Sequence, residues 1–424
     1  MPTTTGPDAS ARPAVRNLVQ PYRTAREATT RLTAPLAPED MTVQAMPDAS
    51  PVKWHLAHTT WFFETFVLKH AARGYRPFHP SFEYLFNSYY NALGPQWYRP
   101  HRGLLTRPTV AEILNYRAHV DAAMERLLES GSFPEAIVDL GLHHEQQHQE
   151  LILTDVKYLL SQNPLRPVYR EGAVVAEAGA ARAQGWIDGT PGIRAMGYAG
   201  PGFAFDNEYP RHDELIRPFQ MADRLVTNGE YRAFIADGGY QRPELWLSDG
   251  WTTVRERRWE APLYWAEQDG APWIYTLAGF RPLDDGEPVC HVSFYEADAY
   301  ARWSRARLPT EAEWEVTAAD RPVAGNFVES GRFHPAPSDG GTQLFGDVWE
   351  WTGSPYLAYP GYRPVEGALG EYNAKFMCNQ FVLRGGSCAT PASHIRVSYR
   401  NFFPPDARWQ FSGIRLATDA QNSA

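Results

Sequence analysis

Across residues 1–165, apolar positions recur at spacings of three and four, the period of helices with one packed face. In SPVKWHLAHTTWFFETFVLKH, starting at Ser50, Trp54, His58, Trp61 and Phe62 share such a face, with Ser50 as N-cap and Pro51 as the first helical residue. Further helices are predicted near Val15–Leu36, from Thr109 to Ser130, and from Pro134 through HHEQQHQELILTDVKYLL. Four such helices joined in sequence predict a helix bundle. The stretch 72–106 carries no period and is rich in Gly, Pro, Tyr and Arg, the composition of a long functional loop.

Beyond Asn163 the pattern changes to short apolar pieces punctuated by Gly, Pro and Trp, and 11 of the 14 tryptophans lie there. Helical periodicity survives mainly around 294–305 and 310–319, the second opened by a capping box of Thr310 and Glu313. The expected organisation is an all-α bundle over 1–165, a linker over 166–185 and a loop-rich α+β domain over 186–424.

The formal charge of -9, with no Lys/Arg run, argues against nucleic acid as a partner. Small polar or cationic ligands fit better. Cys290, Cys378 and Cys388 are odd in number and far apart, which argues against a disulfide framework. With no signal-like segment and no apolar run of membrane length, a cytoplasmic protein without a membrane partner is expected.

The densest chemistry is HHEQQHQE at 143–150. On a helix, His144 and His148 lie roughly 40° apart, so two imidazoles grip one ion, while Glu150 sits roughly 120–160° away and suits an indirect, steering role. A third ligand must come from a facing helix. His55 and His58 are the candidates, and His58 is preferred because it shares its face with Trp54 and Trp61. Three neutral imidazoles suit Zn, Fe, Cu or Ni, so the ligand type alone leaves the metal open.

Four phrases of the second half, RLPTEAEWE (307–315), GDVWEWTGSPY (346–356), VLRGGSCA (382–389) and SGIRLA (412–417), resemble the formylglycine-generating, sulfatase-modifying family. That resemblance implies a C-type-lectin-like α+β fold. The family's paired thiols after the RGGS turn are missing, since only Cys388 follows it. The first half resembles a DinB-like four-helix bundle with metal-binding histidines. MPDASPVKWHLAH, LFNSYYNALG, RGLLTRPT, GLHHEQQHQELILTD and YRNFFPPDARWQFSGIRLA together resemble the sulfoxide synthases of ergothioneine biosynthesis, the hercynine oxygenases, which join the two folds in this order.

The resemblance implies Fe(II) on His58, His144 and His148, with O2 as co-substrate and a carbon–sulfur bond formed between L-cysteine or γ-glutamylcysteine and the imidazole of hercynine. It further implies a phenol as proton or electron source, Tyr90 ahead of Tyr89, and an arginine anchor for the thiol's carboxylate, Arg99 ahead of Arg102. Asp48 is expected to receive the ammonium group or to cap the His58 helix. Gln147 is placed to bond the substrate imidazole. Asn401, Phe402, Phe403 and Trp409, in a loop folding over the bundle, are expected to cradle the quaternary ammonium of hercynine. A structural calcium ion in the second domain and the oligomeric state stay open. Rival readings are a selenoneine synthase with a selenosugar donor, an ovothiol-type synthase acting on histidine, a zinc-dependent DinB-type thiol transferase, and a non-catalytic binding module.

Overall fold

The structure, a computed structural model, describes residues 16–171 and 181–420, so part of the expected 166–185 linker lies outside the described residues. Among the described residues, four long helices form the first half: α1 (Val19–Thr33), α2 (Val52–Phe63), α3 (Val110–Glu129) and α4 (Glu135–Ser161). α1 packs on α4, and α2 packs on both α3 and α4. All 12 residues of α2 are buried, which puts His55 and His58 inside the bundle. α3 opens with a reciprocal capping box between Thr109 and Glu112.

The expected cap of α2 is corrected. Pro51 O accepts the first helical bonds, from the N–H groups of Trp54 and His55. Pro51 is therefore the N-cap residue, and Ser50 spends its hydroxyl on Arg102 instead, at 2.9 Å. The 72–106 stretch is irregular, with short helical turns at Phe82–Phe86, Asn91–Leu93 and Arg99–Leu104.

Arg26 of α1 and Arg117 of α3 close on the buried Glu145 of α4 at 2.8 and 2.5 Å. Burial pushes the Glu145 carboxyl up, but the two guanidiniums outweigh it and hold it down at about 2. This ion triad fixes the rotation of α4.

In the second half, β8 (Trp349–Pro355) pairs antiparallel with β9 (Phe381–Arg384), which pairs with β10 (Asn401–Phe403), while β11 (Ser412–Gly413) runs parallel to β8. Three smaller sheets surround this one, in the orders β1-β4-β12, β2-β3 and β5-β6-β7, built from β1 (Trp186–Asp188), β2 (Gly192–Met196), β3 (His212–Ile216), β4 (Phe219–Ala222), β5 (Trp265–Gln268), β6 (Ala271–Thr276), β7 (Gly279–Pro282) and β12 (Ala417–Asp419). Helices Phe294–Trp303 and Glu311–Ala318 occupy the two expected places, the second with its Thr310–Glu313 capping box. Helices Asn228–Ala236 and Ser248–Arg257 were not expected, although Thr227 and Glu230 form a capping box that announces the first of them.

The four phrases of this half meet in a buried knot. Glu350 accepts Trp314 Nε1 at 2.8 Å and Arg415 Nε at 2.6 Å, and Arg384 reaches Glu315 at 2.9 Å. Gly385 holds φ +97°, and a Cβ there would lie 2.6 Å from Leu344 O, so the RGG turn requires glycine. Cys290 and Cys388 are buried and free, and burial raises both thiols, which leaves them without thiolate reactivity. No helix among the described residues is long and apolar enough to cross a membrane.

Candidate metal centre at the domain junction

The polar run 143–150 divides among three faces of α4. Glu145 and Gln149 face α1, with Gln149 donating to Ala25 O at 2.9 Å. His143, Gln146, Gln147 and Glu150 face the second half of the chain. His143 Nδ1 lies 2.9 Å from His394 Nδ1, Gln146 donates to Ser393 Oγ at 2.7 Å, and Gln147 Nε2 donates to Tyr399 Oη at 2.8 Å. His144 and His148 face α2. One helix therefore docks a domain with one side and builds a site with another.

On the inner side, His58, His144 and His148 offer ligand atoms all within 4.8 Å of one another. His58 is wedged between Trp54 and Trp61, with ring centroids 4.6 and 5.4 Å away, and Phe62 lies against His144 at 4.8 Å. Burial lowers the imidazolium stability of all three, with His144 brought down to about 3. They are neutral at pH 7 and present lone pairs. His58 donates from Nδ1 to Phe86 O at 2.6 Å, which leaves its Nε2 buried with no partner. Both nitrogens of His144 are likewise buried and unpartnered. Orphaned imidazole nitrogens cost about 1–3 kcal/mol each unless something binds them, so these residues fit a resident metal ion. Among the described residues no other group of three His, Cys, Asp or Glu side chains converges in this way.

Glu150 requires a correction. It bonds none of the three histidines; its oxygens accept Trp349 Nε1 at 2.8 Å, Ser387 Oγ at 2.5 Å and Thr390 Oγ1 at 2.8 Å. The wheel angle that removed it from the metal face aims it into the second domain, where it clamps the two halves together.

The tyrosine pair stacks at 4.7 Å between ring centroids, and Tyr90 lies 5.6 Å from Trp61. The Tyr90 hydroxyl is buried without a hydrogen-bond partner, and burial holds its proton far more tightly than in water. Tyr89 contacts Tyr372 and Phe376, with centroids 6.4 and 5.3 Å away.

The two candidate arginines separate sharply. Arg99 is exposed and donates to the carbonyl oxygen of Asp48. Asp48 is also exposed and caps nothing, since no side chain caps α2. Arg102 is 3% exposed, lies 3.4 Å over the Trp54 ring, and donates to Ser50 Oγ at 2.9 Å and Ser88 Oγ at 3.1 Å. It has no carboxylate partner among the described residues, its Nε is unpartnered, and burial lowers its proton affinity. Its guanidinium therefore keeps unspent donors in a desolvated setting.

Asn401, Phe402 and Phe403 form β10 rather than a loop. Phe402 stacks on Tyr356 at 4.0 Å and lies 5.9 Å from Phe376, while Phe403 and Trp409 pair with each other. Among the described residues, no hydrogen bond or ring contact joins these four to the three histidines. Tyr372 of the second half does approach those histidines. Its ring lies 5.8 Å from that of His144, and its hydroxyl donates to Gln147 Oε1. It also lines a cavity of about 840 Å³, with Phe203, Phe205, Tyr209 and Asp206, between the start of α4 and the second domain. Nothing in EYNAKF (371–376) marks it in sequence.

Two family models match the chain: the DinB superfamily over residues 22–152, and the sulfatase-modifying factor enzyme 1-like domain over 173–339 and 329–420. A hercynine oxygenase of Mycolicibacterium thermoresistibile is 32% identical over 415 residues, covering 88% of each chain. One from Mycobacterium tuberculosis is 32% identical over 414 residues, covering 90% of this chain and 93% of its own. The chain belongs to the hercynine oxygenase family. A third member, from Mycolicibacterium smegmatis, is 36% identical over 313 residues, covering 66% of this chain and 71% of its own. Hercynine oxygenase membership makes the chain an enzyme, and it accounts for a bundle and a lectin-like domain meeting at three histidines.

Proposed function

We propose that the chain is an Fe(II)- and O2-dependent sulfoxide synthase that joins the sulfur of L-cysteine to the imidazole carbon between the ring nitrogens of hercynine. The observation that carries this reading is the convergence of three buried, neutral histidines at the junction of the two halves, with His58 Nε2 and both nitrogens of His144 unpartnered. A bound Fe(II), held by His58, His144 and His148, would supply a redox-active Lewis acid able to lower the pKa of a thiol.

The chain's own residues do the rest. His58, His144 and His148 hold the ion without adding negative charge. Trp54, Trp61 and Phe62 line the histidines and keep bulk water away. Arg102, with Ser50 and Ser88 behind it, receives the carboxylate of cysteine, the planar fork matching both oxygens. Gln147 has one N–H and one oxygen lone pair left after bonding Tyr399 and Tyr372, and these bond the ring of the acceptor. The aromatic wall of Phe205 and Tyr372, stacked 5.6 Å apart, faces the trimethylammonium group. Tyr90 holds a proton on its Oη through burial and supplies it as oxygen is reduced. The three free cysteines suit a reducing cytoplasmic setting.

Donor competition tests the reading. With L-cysteine, γ-glutamylcysteine and a selenosugar supplied together at equal concentration, mass spectrometry should find the cysteine-derived sulfoxide dominant. A dominant selenosugar product would make the chain a selenoneine synthase, and use of histidine in place of hercynine would move it to the ovothiol type.

A further inference from the structure

Two of the three converging histidines are held from behind, and by different means. His58 leans on a neutral carbonyl, Phe86 O. His148 leans on a chain that ends in a carboxylate. Its Nδ1 lies 2.8 Å from His55 Nδ1, and His55 Nε2 lies 3.0 Å from Asp155 Oδ2. That oxygen also accepts the Ser50 backbone N–H at 2.8 Å. His144 has no partner at either nitrogen.

The directions of these bonds follow from chemistry. The carboxylate oxygen of Asp155 only accepts, so His55 carries its proton on Nε2. With that one proton on Nε2, His55 offers a lone pair at Nδ1, and the atom facing it, His148 Nδ1, is the donor. His148 is left with a bare Nε2, the nitrogen available to the group of three. Helical spacing delivers the parts: His55 precedes His58 by three residues on α2, and Asp155 follows His148 by seven on α4. His55 is 2% exposed and Asp155 6%, so water screens the chain little.

We infer that His55 and Asp155 are positioning residues that select the metal-binding tautomer of His148 and make it the strongest of the three donors. An N–H drawn toward a carboxylate leaves the opposite ring nitrogen more basic, and loss of such outer partners typically lowers metal affinity by about 10–100-fold. The inference rests on the three histidines being a metal site.

The test uses the full-length chain freed of metal, titrated anaerobically with Fe(II) and separately with Co(II), whose visible bands report ligand strength. Asp155→Asn and His55→Phe are expected to raise the metal Kd about 10–100-fold and to shift the Co(II) bands, with folded circular dichroism. Unchanged bands and a Kd within about twofold of wild type in a folded variant overturn the inference. Should wild type itself bind neither ion, the metal reading beneath it falls first, a separate outcome. A measurement without substitution stands beside these. Nitrogen-15 NMR of the Zn(II)-loaded wild type is expected to find His148 protonated at Nδ1 and His55 at Nε2. A proton on His55 Nδ1 overturns the inference whatever the variants do.

Discussion

Arg102 and Arg117 are both 3% exposed, yet they should respond in opposite ways to the same substitution by methionine. Arg117 meets the buried Glu145 at 2.5 Å, so Arg117→Met leaves a carboxylate short of one of its two cations. Breaking a buried pair in this way costs about 3–5 kcal/mol, or roughly 6–20 °C of melting temperature. Arg102 meets only two serine hydroxyls and an indole face. Replacing it removes a desolvated charge along with those contacts, and the two effects should cancel to within about 1 kcal/mol. Its loss should appear in substrate binding instead. A buried carboxylate left without its guanidinium loses about 2–5 kcal/mol, so the KM for cysteine should rise about 30-fold or more while kcat changes far less. Thermal melts and steady-state kinetics on both variants decide the matter. If Arg102→Met melts as early as Arg117→Met and keeps the wild-type KM, Arg102 is a structural residue and the carboxylate anchor lies elsewhere.

Tyr90→Phe should lower sulfoxide formation by about 10²-fold and divert the thiol to simple oxidation, read as product ratio by mass spectrometry; wild-type ratios in both Tyr90→Phe and Tyr89→Phe would refute the proton-source role. Glu150→Ala strands the Trp349 indole and two hydroxyls, so it should destabilise the chain by about 3 kcal/mol while leaving metal affinity within about tenfold of wild type, because Glu150 touches no ligand. Acid should unfold the metal-free chain early. The unfolded His144 protonates near its ordinary value of 6.5, whereas the folded one resists to about 3, so its contribution is complete above 6.5 and is lost as pH falls toward 3. His58 and His148 shift in the same direction. Denaturant melts from pH 7 to pH 4 should therefore show stability falling steadily, and a flat profile would contradict the buried neutral histidines.

What was legible in the sequence was whatever follows from period and local bonding. The spacing of His144 and His148, the shared face of His58 and the capping box of Glu311–Ala318 each depend on residues a few positions apart, and the structure has each of them. Glu150 shows where that reasoning stops. A wheel gives the direction in which a side chain leaves its helix, but what lies there, Trp349, Ser387 and Thr390, comes from residues 199 to 240 positions away. Tyr372 sits in an irregular segment and reaches Gln147 across the domain junction, so no local pattern could place it. His55 was visible as a histidine one helical turn from His58, but its partner Asp155 is on another helix. Arg99 and Arg102 look alike in the chain, and only burial distinguishes them.

The most direct test of the central claim is anaerobic reconstitution with Fe(II), followed by O2, hercynine and L-cysteine, with oxygen uptake and product mass recorded together. Oxygen consumption matched by a hercynyl-cysteine sulfoxide, both lost in His144→Ala, is the predicted result. Tight zinc binding with thiol transfer that proceeds equally well without O2 would contradict it.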